Sequence, residues 1–179
     1  MSDFEPVEPV SAGDRTRGAD APAITLIEYG DYDCPHTRRA QATIDRLLAD
    51  AADLRLVFRP FPLRHLHANA EAFARVAEAA ARQDKFWPLH DRLMRHRAAF
   101  GEAQVRADAA AVGLDYAAIE RGLSDPALVA RIQHHVDRGR ASGVHSTPSF
   151  FFNGELHDGH YDLDTLSERL RAARRRAQP

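Results

Sequence analysis

The stretch Ile24–Leu48, ITLIEYGDYDCPHTRRAQATIDRLL, sets the architecture of the chain and carries its only cysteine, Cys34. Ile24-Thr25-Leu26-Ile27 is a continuous aliphatic and β-branched run, as expected of a strand buried on both faces. It gives way at Gly30-Asp31, a turn signal. Beyond Cys34 the period changes. Ala40, Ile44, Leu47 and Leu48 recur at spacings of three and four, which predicts a helix. Pro35 suits the first turn of that helix, where its missing N–H would have been unpaired in any case. The thiol is therefore expected between the end of a strand and the start of a helix. Unpaired backbone N–H groups and the positive end of the helix dipole favour a thiolate there, and a protonated His36 would add to them. Asp31 and Asp33, as neighbouring anions, oppose the effect.

Working outward, Leu54–Arg59 is the next strand candidate, stopped by Pro60. With one helix between, the two strands form a parallel βαβ unit with a right-handed crossover. From about His67 to Ala141 the signals are helical. Ala70–Ala81 has a small-residue face, Phe86–Met94 follows, and Glu102–Val112 ends at Gly113. Leu114–Leu123 comes next, then Asp125 caps a last long helix that has Pro126 at its first position and runs to about Gly139–Gly143. Ser149–Phe152 is a short apolar strand, and Asn153-Gly154 predicts a tight turn with positive φ at both residues. Glu155–His157 is expected to pair back antiparallel. Asp162–Arg176 is an amphipathic helix on Leu163, Leu166 and Leu170 that covers the sheet. The pattern divides the chain into a polar, loosely attached arm (1–22), a sheet-bearing domain (23–63 and 144–179) and an inserted α-helical subdomain (64–143). In the arm, loop is expected up to Pro22, with Val7 and Val10 the candidates for a short edge strand.

The chain of 179 residues carries a formal net charge of −2, so no overall field points to nucleic acid. Of its 24 basic residues 23 are arginine, which reads as compositional bias because they form no groove-like stripe. The basic segment Arg169–Arg176 is expected to be a solvated helix end. One cysteine permits no disulfide within the chain. The acidic, proline-bearing N-terminal stretch lacks the apolar segment of a secretory signal, and no run approaches a membrane span. A reducing cytoplasm is the default expectation. Ten histidines raise the question of a metal. Their closest groupings, His65-Leu66-His67, His134-His135 and His157–His160, lack the spacing of a zinc site, and no metal is expected. His65, His67 and His145 are kept as walls of the thiol cleft.

Cys34-Pro35-His36-Thr37 resembles the Cys-Pro-His-Cys active site of the DsbA-like branch of the thioredoxin superfamily, with Thr37 where that family has its second, resolving cysteine. Gly143–Gly154, GVHSTPSFFFNG, resembles the family's second signature. Arg59–Leu63 and Lys85–His90 are similar to its entry into an inserted helical region. Together these cover roughly Ala23 to Leu170. The resemblance implies an α/β thioredoxin-like fold with an inserted helical subdomain. It also implies a cis Thr147–Pro148 bond that brings the Thr147 backbone beside the thiol, where Thr147, Pro148 and Pro35 would bind an extended substrate. Glu28, six residues before Cys34, falls where the family has an acidic residue beneath the thiol that influences proton transfer. The alternative is a strand-end carboxylate that reaches solvent. The Thr37 hydroxyl is able to donate to the Cys34 thiolate as the lost thiol would have done. A degenerated site, or a deliberate replacement that traps mixed disulfides, remains open.

The function implied is a monothiol thiol–disulfide oxidoreductase, with Cys34, His36, Thr37 and Glu28 as its catalytic residues. No bound cofactor is expected. Without a resolving thiol, an outside thiol must break a mixed disulfide at Cys34, which makes glutathione the expected co-substrate and glutathione or protein thiols the partners. Two other readings share the fold. One resembles the kappa-class glutathione transferases and related isomerases. The other is a redox-inactive binding module, like the thioredoxin-like domains appended to bacterial sodium/proton antiporters.

Overall fold

The strand Ile24–Gly30 (β2) lies at the centre of a five-stranded sheet, which is why its sequence is apolar on both faces. In the computed structural model, which describes residues 4–177, the strands are β1 (Arg15–Gly18), β2, β3 (Leu54–Pro60), β4 (Ser149–Phe152) and β5 (Glu155–His157). Residues 1–3 of the arm and 178–179 of the C-terminal segment lie outside the described residues. The helices are α1 (Pro35–Asp50), α2 (Ala70–Ala80), α3 (Phe86–Arg95), α4 (Glu102–Ala111), α5 (Tyr116–Gly122), α6 (Pro126–Ala141) and α7 (Leu163–Ala177). Sheet order is β1-β3-β2-β4-β5. β2 and β3 run parallel, in register from Ile24↔Leu54 to Gly30↔Pro60, and the other pairs are antiparallel.

Side chains alternate across the sheet, as a pleated strand requires. Ile24 and Leu26 join Leu56, Phe150 and Phe152 beneath Ile44 of α1 and Leu166 of α7. Ile27 and Tyr29 face the other way, against Phe61, Phe151 and Val136 of α6. The helices between β3 and β4 build their own core around Phe73, Leu89, Leu93 and Ile119. Two local features fix the chain path near the thiol. A Cβ on Gly30 would come within 2.4 Å of the Phe58 ring and 3.0 Å of the Thr37 methyl, so strand end and helix start meet only over a bare backbone. The turn Asn153-Gly154 has φ of 47° and 89°, as its sequence predicts.

Four local expectations are corrected. The edge strand is Arg15–Gly18, not Val7 or Val10. Its register is held by charge and by a tryptophan rather than by apolar alternation. Arg15 pairs with Glu78, Arg17 with Asp91, and Trp87 Nε1 donates to the Thr16 carbonyl at 2.7 Å. Val7 instead plugs into the core on the α6 side of the sheet. The arm is not loose, because the buried Arg59 guanidinium binds Asp14 at 3.0 Å and the carbonyls of Glu8 and Pro9 at 2.9 and 3.1 Å. Leu163 opens α7 at the surface, and the buried stripe is Leu166, Leu170 and Ala173. β3 runs through Pro60 itself, whose missing N–H costs nothing at a strand end.

Candidate active site

Cys34 caps the N-terminus of α1 in extended geometry, with Pro35 in the first helical turn. The turn before it is closed by the Cys34 N–H donating to the Asp31 carbonyl at 3.1 Å, and the helix begins with Arg38 N–H donating to the Cys34 carbonyl at 3.2 Å. The thiol makes no capping bond to the helix. It donates to the Thr147 carbonyl at 3.3 Å, and the Thr147–Pro148 peptide is cis. Cys34 is 3 % exposed, while Pro35 and His36 beside it are open to solvent. Thr147 Oγ1, though buried, has no partner.

The neighbouring side chains divide in their roles. Thr37 is fully buried, and its hydroxyl accepts from the Asp31 N–H at 3.3 Å, which ties the helix to the turn. His36 shares a hydrogen bond with the Tyr161 hydroxyl through Nδ1 at 2.9 Å, and Arg39 Nη2 lies 3.1 Å from Nδ1 and 3.4 Å from Nε2 of the same ring.

Glu28 sits on β2 with the parity of Ile24 and Leu26, so it faces α1, the helix that carries the thiol. It is fully buried and neither carboxylate oxygen has a partner, which excludes the solvent-reaching alternative. Burial, with the nearby Asp45 charge adding to it, pushes its pKa up to about 8. Glu28 therefore holds its proton at neutral pH. Asp31, three residues on, is just as buried but fully engaged. Its carboxylate accepts from Asp33 N–H at 2.9 Å and Leu63 N–H at 3.0 Å, and pairs with His67 Nδ1 at 2.8 Å. Asp33 in turn accepts from Asn69 N–H at 2.9 Å. These bonds lash the turn before the thiol to the loop that leaves β3.

Sequence reasoning missed Arg38, one helical turn beyond Cys34. Its guanidinium is buried and donates to the carbonyls of Tyr32, His96 and Ala98, at 2.9, 2.8 and 3.4 Å, and to no carboxylate. Desolvation lowers its pKa, opposed by the charges of Asp33, Cys34 and Asp31. The i, i+4 spacing from the cysteine was the available signal, masked by the abundance of arginine. Tyr32, His90 and Gln41 form a second unpredicted network. His90 Nε2 lies 3.2 Å from Gln41 Oε1, so the ring donates there and accepts from the Tyr32 hydroxyl at 3.0 Å. Burial pushes the His90 pKa down to about 3, which keeps the ring neutral. Of the histidines kept as cleft walls, His67 binds Asp31, His145 lies against the Phe4 ring at 5.7 Å between centroids, and His65 is exposed. Among the described residues no three His, Cys, Asp or Glu side chains converge as a metal site.

Residues 25–171 match the family described as the DSBA-like thioredoxin domain. The chain is similar over 92 % of its length to a thioredoxin-like oxidoreductase from Silicibacter pomeroyi, covering 94 % of that structure at 30 % identity and a TM-score of 0.84. It has the fold of the thiol-disulfide exchange protein α-DsbA2 from Wolbachia pipientis, at 21 % identity and a TM-score of 0.79, with 90 % and 87 % of the two chains covered. A curated relative, the Na(+)/H(+) antiporter NhaA 1 of Salinispora arenicola, is 36 % identical over 168 residues, which is 94 % of this chain and 26 % of the relative. The chain thus spans about a quarter of the length of that relative. No described helix is long and apolar enough to cross a membrane.

Proposed function

The chain belongs to the DSBA-like thioredoxin domain family, and from that premise we propose that it is a monothiol thiol–disulfide oxidoreductase with Cys34 as nucleophile and glutathione as the thiol that completes its cycle. The Cys34 thiolate attacks one sulfur of a disulfide R–S–S–R′. A bond forms between Cys34 Sγ and RS, the substrate S–S bond breaks, and R′S⁻ leaves with the electron pair and takes a proton from water. With no second cysteine in the chain, an external thiolate R″S⁻ attacks the RS sulfur, RS–SR″ is released, and the Cys34 thiolate is restored. Two electrons are exchanged between the outside thiols and the disulfide, and the protein ends as it began.

One observation carries this reading. The only thiol sits at the N-terminus of α1 and hydrogen-bonds the backbone of Thr147 in the cis-proline segment. On deprotonation that bond loses its proton, which leaves the sulfur to the free amides of the first helical turn. The neighbouring Thr147 backbone is then available to an extended partner. Neutral Glu28 beneath α1 adds no second anion under the thiolate. We place the cycle in the cytoplasm, where a reducing glutathione pool would supply the second thiol. The antiporter relatives support a second reading, an accessory domain of a membrane protein, in which a partner binds a Cys34→Ala variant as tightly as the parent.

The deciding experiment is steady-state reduction of a glutathione mixed disulfide by excess glutathione, with the parent and Cys34→Ser compared. Turnover lost in the variant is expected. Equal turnover in both proteins, or none in either, would overturn the proposal.

A further inference from the structure

Beside the thiol, α1 and the end of α3 enclose a cleft of about 170 Å³ lined by Pro35, Arg38, Arg39, His96 and Arg97. Three of its five walls are arginine. Arg38 forms the floor, 4 % exposed, held by three backbone carbonyls and stacked over the Phe100 ring at 5.3 Å. Its charge is therefore fixed in place and paired with no carboxylate. Arg39 contacts the His36 ring and no carboxylate, and Arg97 makes no ion pair among the described residues. Asp108, which pairs with the cleft residue His96 at 2.6 Å, also binds Arg92 at 2.8 Å and does not itself line the cleft. Asp31 and Asp33 on the other side of Arg38 are occupied by the loop amides and His67. The cleft keeps an excess of positive charge with guanidinium forks, the geometry that suits carboxylates.

We propose that this cleft is a carboxylate subsite of the thiol-exchange reaction, and that it selects small anionic thiols and disulfides over neutral and cationic ones. The inference rests on the monothiol reading and adds to it the class of co-substrate. Pro35 lines the cleft and is bonded directly to Cys34, so a carboxylate seated there lies within a small molecule's length of the sulfur. The volume admits a carboxylate and a short stem but no folded protein loop. Glutathione, a thiol that bears carboxylates, fits that description. The electron balance is that of the exchange written above, with the anion bound in the cleft unchanged by the reaction.

The test compares second-order rates of mixed-disulfide formation at Cys34, followed by mass, with three small disulfides of similar size. These are 3,3′-dithiodipropionate (anionic), 2-hydroxyethyl disulfide (neutral) and cystamine (cationic), each also run against a free cysteine thiol. The anionic-to-neutral rate ratio should exceed that of the free thiol. It should fall about tenfold in Arg39→Ala/Arg97→Ala, at roughly threefold per exposed arginine. Arg121→Ala, an exposed arginine on α5, should leave the ratio unchanged. A parent ratio equal to the free thiol's, or one the double variant does not move, would overturn the subsite while Cys34 still reacts with the neutral disulfide. Failure of Cys34 to react with any of the three would instead defeat the monothiol reading beneath it.

Discussion

The floor and the rim of the thiol site handle buried acid in opposite ways. On the floor, Glu28 lies in the sheet core with both oxygens unpartnered and stays protonated up to about pH 8. On the rim, three residues later, Asp31 is equally buried yet accepts from two backbone amides and pairs with His67. Burial alone therefore does not set what a carboxylate does near Cys34. Its hydrogen-bond partners do. The floor stores a proton that an apolar setting keeps in place, and the rim uses a carboxylate as a clamp for the loop that presents the sulfur.

The largest effect should come from breaking the floor. Glu28 has a folded value of about 8 against an ordinary 4.5. The unfolded chain thus ionises above pH 4.5 while the native state keeps its proton. Below that point there is no penalty. Between pH 4.5 and 8 the native state loses stability progressively, and above the folded value the penalty is constant. Glu28→Gln removes it. The variant should gain about 4 kcal/mol relative to the parent between pH 5 and pH 9, at about 1.4 kcal/mol per pKa unit, in urea unfolding at the two values. An equal difference between the two proteins at both pH values would mean that Glu28 is ionised in the native state.

Breaking the rim should cost less. Asp31→Ala leaves the amides of Asp33 and Leu63 without an acceptor and frees His67. Unpaired buried amides cost about 1–3 kcal/mol each, so a loss of about 3 kcal/mol is expected from the urea midpoint. A loss below about 1 kcal/mol would show that the loop reseats on other acceptors.

What the sequence made legible follows the same division. The strand, thiol and helix of Ile24–Leu48 could be read because each has its own periodicity, and Asn153-Gly154 because the turn demands those residues. The partners of Asp31 could not, since Leu63 and His67 come from a loop more than thirty positions away. β1 escaped because RTRG pairs through charges and has no apolar alternation. Arg38 was hidden by composition: in a chain so rich in arginine, a single one four residues after the cysteine carries little weight until its carbonyl partners are seen. Glu28 could be placed on β2 but not called unpartnered, because that depends on β3, β4 and α1 together.

A pair of histidines sharpens the comparison with the sign reversed. His90 is partnered by Tyr32 and Gln41, whereas His135 on α6 is buried with both ring nitrogens free. Burial pushes both pKa values down to about 3 from 6.5, with the cations Arg17 for His90, and Arg131 and Arg59 for His135, acting in the same direction. A base with a lowered folded value binds its proton only on unfolding, so stability is lost as pH falls below 6.5. Two such histidines outweigh the single opposing Glu28 between pH 4.5 and 6.5, and Glu28 acts alone from there to about 8. These three groups together place maximum stability near pH 6.5. His135→Phe should gain about 2 kcal/mol relative to the parent between pH 7 and pH 5, read as a shift of the stability maximum toward acid. A maximum that stays where it was would mean that His135 is protonated in the native state.

The smallest effect concerns Tyr161, half-buried beside the exposed His36. Tyr161→Phe deletes the hydroxyl that holds His36 Nδ1 at 2.9 Å and keeps the ring that packs edge-on to it at 6.3 Å. Because the bond is at the surface, stability should change by less than about 1 kcal/mol. The rate of Cys34 with a neutral disulfide should nevertheless rise about twofold. The freed imidazole is then able to turn toward the N-terminus of α1 and donate a hydrogen bond to the thiolate there. Arg39 still contacts the ring, which keeps the gain small. In a His36→Ala background the same tyrosine substitution should have no effect on the rate, and that null result is the discriminating half of the cycle. A twofold change in both backgrounds would mean that Tyr161 acts on the cleft directly, and the rim would then owe its reactivity to Arg38 and the helix amides rather than to His36.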